Sequence, residues 1–143
     1  MLELAICACV LLLLLSGTFQ FGYTFYVYNR LLTAVGNGAR YAAQRTYRGT
    51  TDQDVERGNT ALRNMVIYGD PRPSVEASPM LPNLKPEQVE ISWIKTGDHA
   101  PTAVGLRVKN YPVNTAFRTF AFNGRPYVEF PYVGRYAPGE REQ

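Results

Sequence analysis

Cysteine is nearly missing from this 143-residue chain: there are two, Cys7 and Cys9, both inside one apolar run near the N-terminus. The remainder therefore carries no disulfide framework and no thiolate metal site. Two residues apart on a helix, Cys7 and Cys9 project to nearly opposite sides and cannot bridge each other. They read as small apolar packing residues, with bridging between neighbouring copies as the alternative. Histidine is scarcer still. His99 is the single one, in a Gly-Asp-His-Ala-Pro stretch that reads as a surface loop, and one histidine does not make a multi-histidine zinc site. Gly-x-Ser-x-Gly, P-loop and dinucleotide glycine patterns are all missing. Asp52, Asp54 and Glu56 lie close together, but the stretch lacks the sixth-position glycine and distal glutamate of a calcium loop. The other carboxylates are scattered, and whether two of them pair in space is something a sequence does not show. Lysine is also rare, with 3 against 12 arginines and none before Lys85. The net charge of +3 is spread rather than blocked, so no nucleic-acid stripe is implied. The expectation is a chain that is not an enzyme and has no cofactor and no metal.

One long apolar run dominates what is there. From Leu4 to Asn29 there are 26 consecutive residues without a formal charge, and Leu11 to Leu15 are five leucines in a row. As a helix this run is about 39 Å long, more than the roughly 30 Å hydrocarbon core of a bilayer. Three readings compete for it. A secretory signal peptide needs a basic start and a shorter apolar stretch, whereas this chain begins Met1-Leu2-Glu3. An ordinary membrane anchor, by the positive-inside rule, would put the head on the side of Arg30, Arg40, Arg45 and Arg48, in the cytoplasm. A helix left after removal of a short basic leader explains both the missing N-terminal charge and the acid at position 3. A carboxylate so near an apolar run is costly unless it sits at the interface or meets a cation. The amino terminus of a neighbouring copy is such a cation, and a solvated carboxylate at the membrane surface is the plainer alternative.

Beyond the leucines, Phe19, Phe21, Tyr23, Phe25, Tyr26 and Tyr28 place six aromatics in ten residues, a composition suited to the headgroup level or to helix–helix contacts. A stripe then continues at helical spacing through Phe21, Phe25, Tyr28, Leu32, Val35, Ala39 and Ala42. Arg30, Thr33, Asn37, Arg40, Gln44 and Arg48 occupy the opposite face. The helix is thus predicted over residues 1–48, apolar all round in its first part and amphipathic after that. Gly17, Gly22, Gly36 and Gly38 mark kinks, unwound turns or close contacts with neighbouring helices.

Residues 49–143 read as a head. Thr51 is a good N-cap, and a second helix is predicted over about 51–68, buried through Val55, Leu62, Met65 and Val66 and ended by Gly69-Asp70-Pro71. Five prolines fall between Pro71 and Pro86, so 69–88 is an irregular connection. Strands follow within 89–136. Val89, Ile91 and Trp93 alternate with Glu90, Ser92 and Ile94, and Val104, Leu106 and Val108 with Gly105, Arg107 and Lys109, with Thr96-Gly97-Asp98 in the bend between them. Residues 114–122 read either as a short helix or as a strand entering an Asn123-Gly124 hairpin that would pair Arg118 with Glu129. A polar tail starts at Pro138. The fold class is α+β: a long helix, a shorter one, and a small antiparallel sheet of about three strands.

Glu3-Leu4-Ala5, the leucine run, Gly17-x-x-Gln20-x-Gly22 and Gly38-Ala39-Arg40-Tyr41-Ala42 together resemble the TadE/TadG-like pseudopilin family over about the first 45 residues. That family's pattern is a Val-Glu-Phe-Ala start, a leucine-rich run, Gly-x-x-Glu-x-Gly, and Ala-Ala-Arg-Glu-Gly-Ala-Arg-Tyr-Ala. Here Cys9 stands where the family often has proline, Gln20 replaces its acid, and Gly36-Asn37 replaces its Arg-Glu. Glu3 lies third, whereas the family acid lies five residues after the peptidase cut. The resemblance implies a bacterial prepilin, cut by a prepilin peptidase at the inner membrane and handled by tight-adherence pilus machinery. The head would then lie outside, and the end product would be an extracellular helical filament of many copies. It also suggests roles for individual residues. Glu3 would set register by pairing with a neighbour's amine. Leu11, Leu15, Phe21, Phe25, Tyr28, Leu32 and Val35 would pack helix against helix in a filament core. Ala39 and Ala42 would pack the helix on its own head. Two alternatives remain: a minor subunit that primes or tips a pilus of another pilin, and a single-span anchored binding module that never polymerises.

Overall fold

A computed structural model describes residues 2–45, 52–95, 101–115 and 119–134. The chain starts as one uninterrupted helix, α1, over Leu2–Gln44. At about 1.5 Å per residue it is about 65 Å long, more than a head of this size can cover. From Leu2 to Tyr26 no side chain is buried, and from Val27 onward one face is. That face is Val27, Leu31, Ala34, Val35, Gly38, Ala39, Ala42 and Ala43, which is the i, i+4, i+7 spacing of a single helical side. The second helix, α2, spans Asp52–Tyr68 and packs across it through Leu62, Val66 and Ile67. Val55 and Met65, expected on the buried side, are only half-buried. Ile67 takes a core position that the expected stripe omitted.

The two helices approach closely because Gly38 has no side chain. A Cβ there would collide with Val66 Cγ2 and lie 3.1 Å from Leu106 Cδ2. The expectation of close contacts at helix glycines holds at Gly38, although the neighbour is the chain's own head. Gly17, Gly22 and Gly36 have open space beside them.

Gly69 ends α2 as expected. It takes the left-handed conformation (φ 75°) and its N–H donates to the Met65 carbonyl at 3.0 Å, the usual glycine stop of a helix. Asp70 Oδ1 then accepts from the Arg72 N–H at 2.8 Å. The proline-rich connection is irregular but fastened: Leu81 and Leu84 are buried in the core, and the Met80 N–H donates to the Ile67 carbonyl at 2.7 Å.

Five strands follow, in two antiparallel sheets: β1 (Val89–Lys95), β2 (Pro101–Val108), β3 (Tyr111–Asn114), β4 (Thr119–Phe122) and β5 (Tyr127–Pro131). The three-stranded sheet has order β1-β2-β5 and the second sheet is the β3-β4 pair. The β1–β2 hairpin aligns Val89 with Val108, Ile91 with Leu106 and Trp93 with Val104, as the alternation predicts. Its bend at 96–98, like His99, Arg118, the Thr51 cap and the polar tail, lies outside the described residues. Val104, Leu106 and Val108 are fully enclosed and complete the core with α1 and α2. On the other side of β2, Gly105 leaves room for Tyr127 and Ser92; a Cβ there would lie 2.7 Å from both hydroxyl oxygens.

Residues 119–122 are strand rather than helix, and the expected Asn123-Gly124 hairpin does not form. β4 returns to β3, with Asn114 opposite Thr119 and Tyr111 opposite Phe122, while Glu129 on β5 lies opposite Gly105 on β2. The expected partner of Glu129, Arg118, lies outside the described residues. Asn123-Gly124 instead carries the chain from one sheet to the other. Gly124 adopts the left-handed φ of 74°, and its N–H donates to the Val108 carbonyl at 2.9 Å. The residue after β5 ties off α1. Tyr132 Oη donates to the Arg45 carbonyl at 2.6 Å and the Val133 N–H to the Ala43 carbonyl at 3.0 Å, satisfying carbonyls that a helix end leaves open.

Candidate functional site

The feature with most unspent binding capacity is the N-terminal part of α1. Its apolar window is long enough to cross a membrane and none of it is buried. Leu11 is 65% exposed, Leu15 48%, Phe21 82% and Phe25 68%. These four positions, expected to meet other helices, are exposed. Leu32 is 39% exposed on the flank. Two others are not available in this way. Val35 is fully enclosed by the chain's own core, so its packing is with the head and not with a second helix. Tyr28 is half-buried and stands edge-on to Phe122 of β4, with ring centroids 5.5 Å apart. Ala39 and Ala42, expected to carry helix–head packing, are 0% exposed. That role extends to Val27, Leu31, Ala34, Gly38 and Ala43, which share the same helical face. Their signal was the i, i+4, i+7 spacing that begins at Val27. It was masked because the neighbouring stripe is equally apolar.

Glu3 lies exposed in the first turn of α1. A carboxylate near a helix N-terminus is favoured by the partial positive charge of the unpaired amides there. Cys7 and Cys9 are both exposed free thiols. On the polar side, Arg30 Nε donates to Tyr26 Oη at 3.0 Å and its guanidinium lies over the Tyr26 ring. Arg40 covers Phe130 of β5 at 5.7 Å. Two of the arginines that follow the apolar run are thus engaged with aromatic faces of the same chain.

The β3–β4 ribbon reaches back along α1 beyond the rest of the head. Gln20 Nε2 donates to Thr115 Oγ1 at 2.7 Å. A small recess between Tyr23 and Val27 on α1 and Pro112 and Val113 on β3 marks the same contact line. Tyr111 is buried, and its hydroxyl donates to the Pro82 carbonyl at 2.9 Å, fixing the base of the ribbon. Sequence reasoning missed this ribbon as a partner of α1.

The most ordered charge cluster lies elsewhere, on the outer face of the three-stranded sheet. Glu90 accepts from Arg107 Nε at 2.7 Å and Nη2 at 2.9 Å, and Lys109 Nζ approaches the same carboxylate. The hydrogen bonds from Arg107 and then Lys109 hold Glu90 well below the usual carboxylate range, at about 2. Arg107 stands opposite Glu90 in the β1–β2 register and Lys109 lies just past the end of β2, so this is a cross-strand clamp, and its groups are solvent-exposed. Among the described residues no group of three His, Cys, Asp or Glu side chains could hold a metal ion.

A family model described as TadE-like protein matches residues 1–40, of which residues 2–40 lie in α1. The match covers less than a third of the chain and makes this N-terminal segment TadE-like, in agreement with the resemblance read from the same residues. No curated protein and no solved structure matches the chain significantly. A TadE-like segment on an apolar helix of membrane-spanning length fits a pilus-associated pseudopilin and indicates a membrane or cell-surface location.

Proposed function

We propose that this chain is a structural subunit, not an enzyme, which waits in the inner membrane and then assembles through α1 into an extracellular filament of the tight-adherence type. One observation carries the reading: no side chain of α1 is buried before Val27, so that the head, apart from the ribbon's tie at Gln20, leaves a largely apolar helix uncovered from Leu2 to Tyr26. Lipid is one cover for such a surface and copies of the same helix are another. Transfer of a large apolar side chain out of water is worth roughly 1.5–3 kcal/mol, so a bundle of these helices stays together once outside the bilayer. In the bundle Leu11, Leu15, Phe21 and Phe25 face neighbouring helices, with Leu32 at the margin. Gly17 and Gly22, with nothing beside them in the single chain, offer places for a neighbour's backbone to come close. Glu3 pairs with the amino terminus of the next copy and sets axial register. The head coats the outside. Prepilin peptidase and the pilus assembly machinery are the partners this route requires.

The test is to shear cells that make the chain and examine the released material by negative-stain microscopy and immunoblotting. Filaments that contain the chain support the proposal. A chain retained wholly in the membrane fraction identifies a non-polymerising anchored module instead.

A further inference from the structure

The β3–β4 ribbon is tied to α1 at Gln20, inside the uncharged run. Glu3 is the last charge before the apolar run, and a carboxylate is held at the membrane surface because burying it in hydrocarbon is costly. Seventeen residue steps separate Glu3 from Gln20, about 26 Å along the axis at about 1.5 Å per residue. The hydrocarbon core is about 30 Å thick and takes about 20 residues, which puts the far boundary near Tyr23. Gln20 is where the ribbon is tied, through Thr115. The ribbon therefore overlaps the level of the boundary, and any tilt of α1 moves it deeper.

What the ribbon presents there is apolar. All of β4 except Phe122 is exposed, and Phe120 is 40% exposed. Between β4 and α1 runs a groove of about 460 Å³, lined by Gly17, Phe21, Thr24, Phe120 and Phe122 among others, none of them charged. On α1 at the same level, Phe19, Phe21, Phe25 and Tyr26 are exposed. Aromatic side chains from two separate elements thus gather where the bilayer passes from acyl chain to headgroup, the position such rings favour.

We propose that the β3–β4 ribbon is a membrane-interface element: its β4 face rests at the acyl–headgroup boundary, and the groove against α1 takes a lipid acyl chain. The ribbon then sets how deep α1 sits before assembly. This rests on the reading that α1 spans the bilayer.

The experiment uses the full chain with Cys7→Ser and Cys9→Ser, in vesicles of phosphatidylethanolamine and phosphatidylglycerol. Nitroxide labels are placed one at a time at Ala121→Cys and Thr119→Cys on β4, at Leu14→Cys within the apolar run, and at Val75→Cys, which is fully exposed on the head. Power saturation with oxygen and with a nickel chelate reports depth. The expected result is nickel access at both β4 sites several-fold below that at Val75, with an oxygen-to-nickel balance between those of Val75 and Leu14. Leu14 in hydrocarbon with both β4 sites matching Val75 overturns the inference and leaves the membrane span intact. Leu14 matching Val75 overturns the span itself, and the inference with it. Shielding of the β4 labels from both reagents, with label–label broadening, shows a second copy in the groove and also overturns it.

Discussion

Gly38 of α1 lies directly beneath Val66 of α2, so close that a single added methyl would occupy the space of Val66 Cγ2. The core of this head is built on that approach. Alanine at position 38 gains about 0.8–1 kcal/mol of helix propensity, but overpacking a tight core typically costs about 1–3 kcal/mol. Val66 is β-branched and fully enclosed, so it has little room to yield. Gly38→Ala is therefore expected to destabilise the head by about 1 kcal/mol or more. Gly36→Ala, with nothing nearby, is expected to stabilise it by several tenths of a kcal/mol. Thermal unfolding of the two variants in detergent checks both signs.

The edge contact between Tyr28 and Phe122 is one of the ties between ribbon and helix. A double-mutant cycle with Tyr28→Leu and Phe122→Leu is expected to return a coupling of about 0.5–1.5 kcal/mol. A coupling near zero in denaturant titrations would mean that the ribbon does not pack on α1.

Glu90 gives the head a defined acid limb. Its folded pKa, about 2, is depressed by Arg107 and Lys109, so the unfolded chain holds the proton more tightly. The resulting stability is complete above the ordinary carboxylate range near pH 4.3. It is lost as pH falls from there through about 2. Glu90→Gln is expected to remove that part of the acid-side decline and leave the neutral side flat. The carboxyl carbon shift of Glu90, followed by NMR against pH, should titrate near 2.

How far the sequence disclosed this arrangement depended on the range of the contact. α1, α2 and the β1–β2 hairpin follow from local periodicity, and Gly69 ends α2 where Gly69-Asp70-Pro71 marked a stop. Asn123-Gly124 carried a true turn signal, because Gly124 does take a positive φ. A turn signal does not say which strand comes next, and the chain there changes sheets. The buried face of α1 was misjudged at Tyr28 and Val35 because two adjacent stripes are both apolar. Gly38 lies on the side that α2 approaches, where a Cβ would meet Val66. The Gln20–Thr115 tie joins residues 95 positions apart, a distance over which no pattern in the sequence reports.

Glu3 is the only acid before Asp52, and the proposed register depends on its charge. Glu3→Ala and Glu3→Gln are expected to leave the head folded and the chain in the membrane, while cutting filament yield in sheared material at least several-fold. Unchanged yield in the shear fraction would remove Glu3 from the register role.

The central claim is that the uncovered face of α1 is where copies of the chain meet. Site-specific photo-crosslinking from within α1 tests it most directly, with a benzophenone amino acid at Phe21, 82% exposed, or at Leu31, 0% exposed. In cells making the chain, irradiation of the Phe21 variant is expected to give dimers and higher multimers of the chain in sheared material. The Leu31 variant should give only intrachain products. Multimers absent from Phe21, or equally strong from Leu31, would contradict the account.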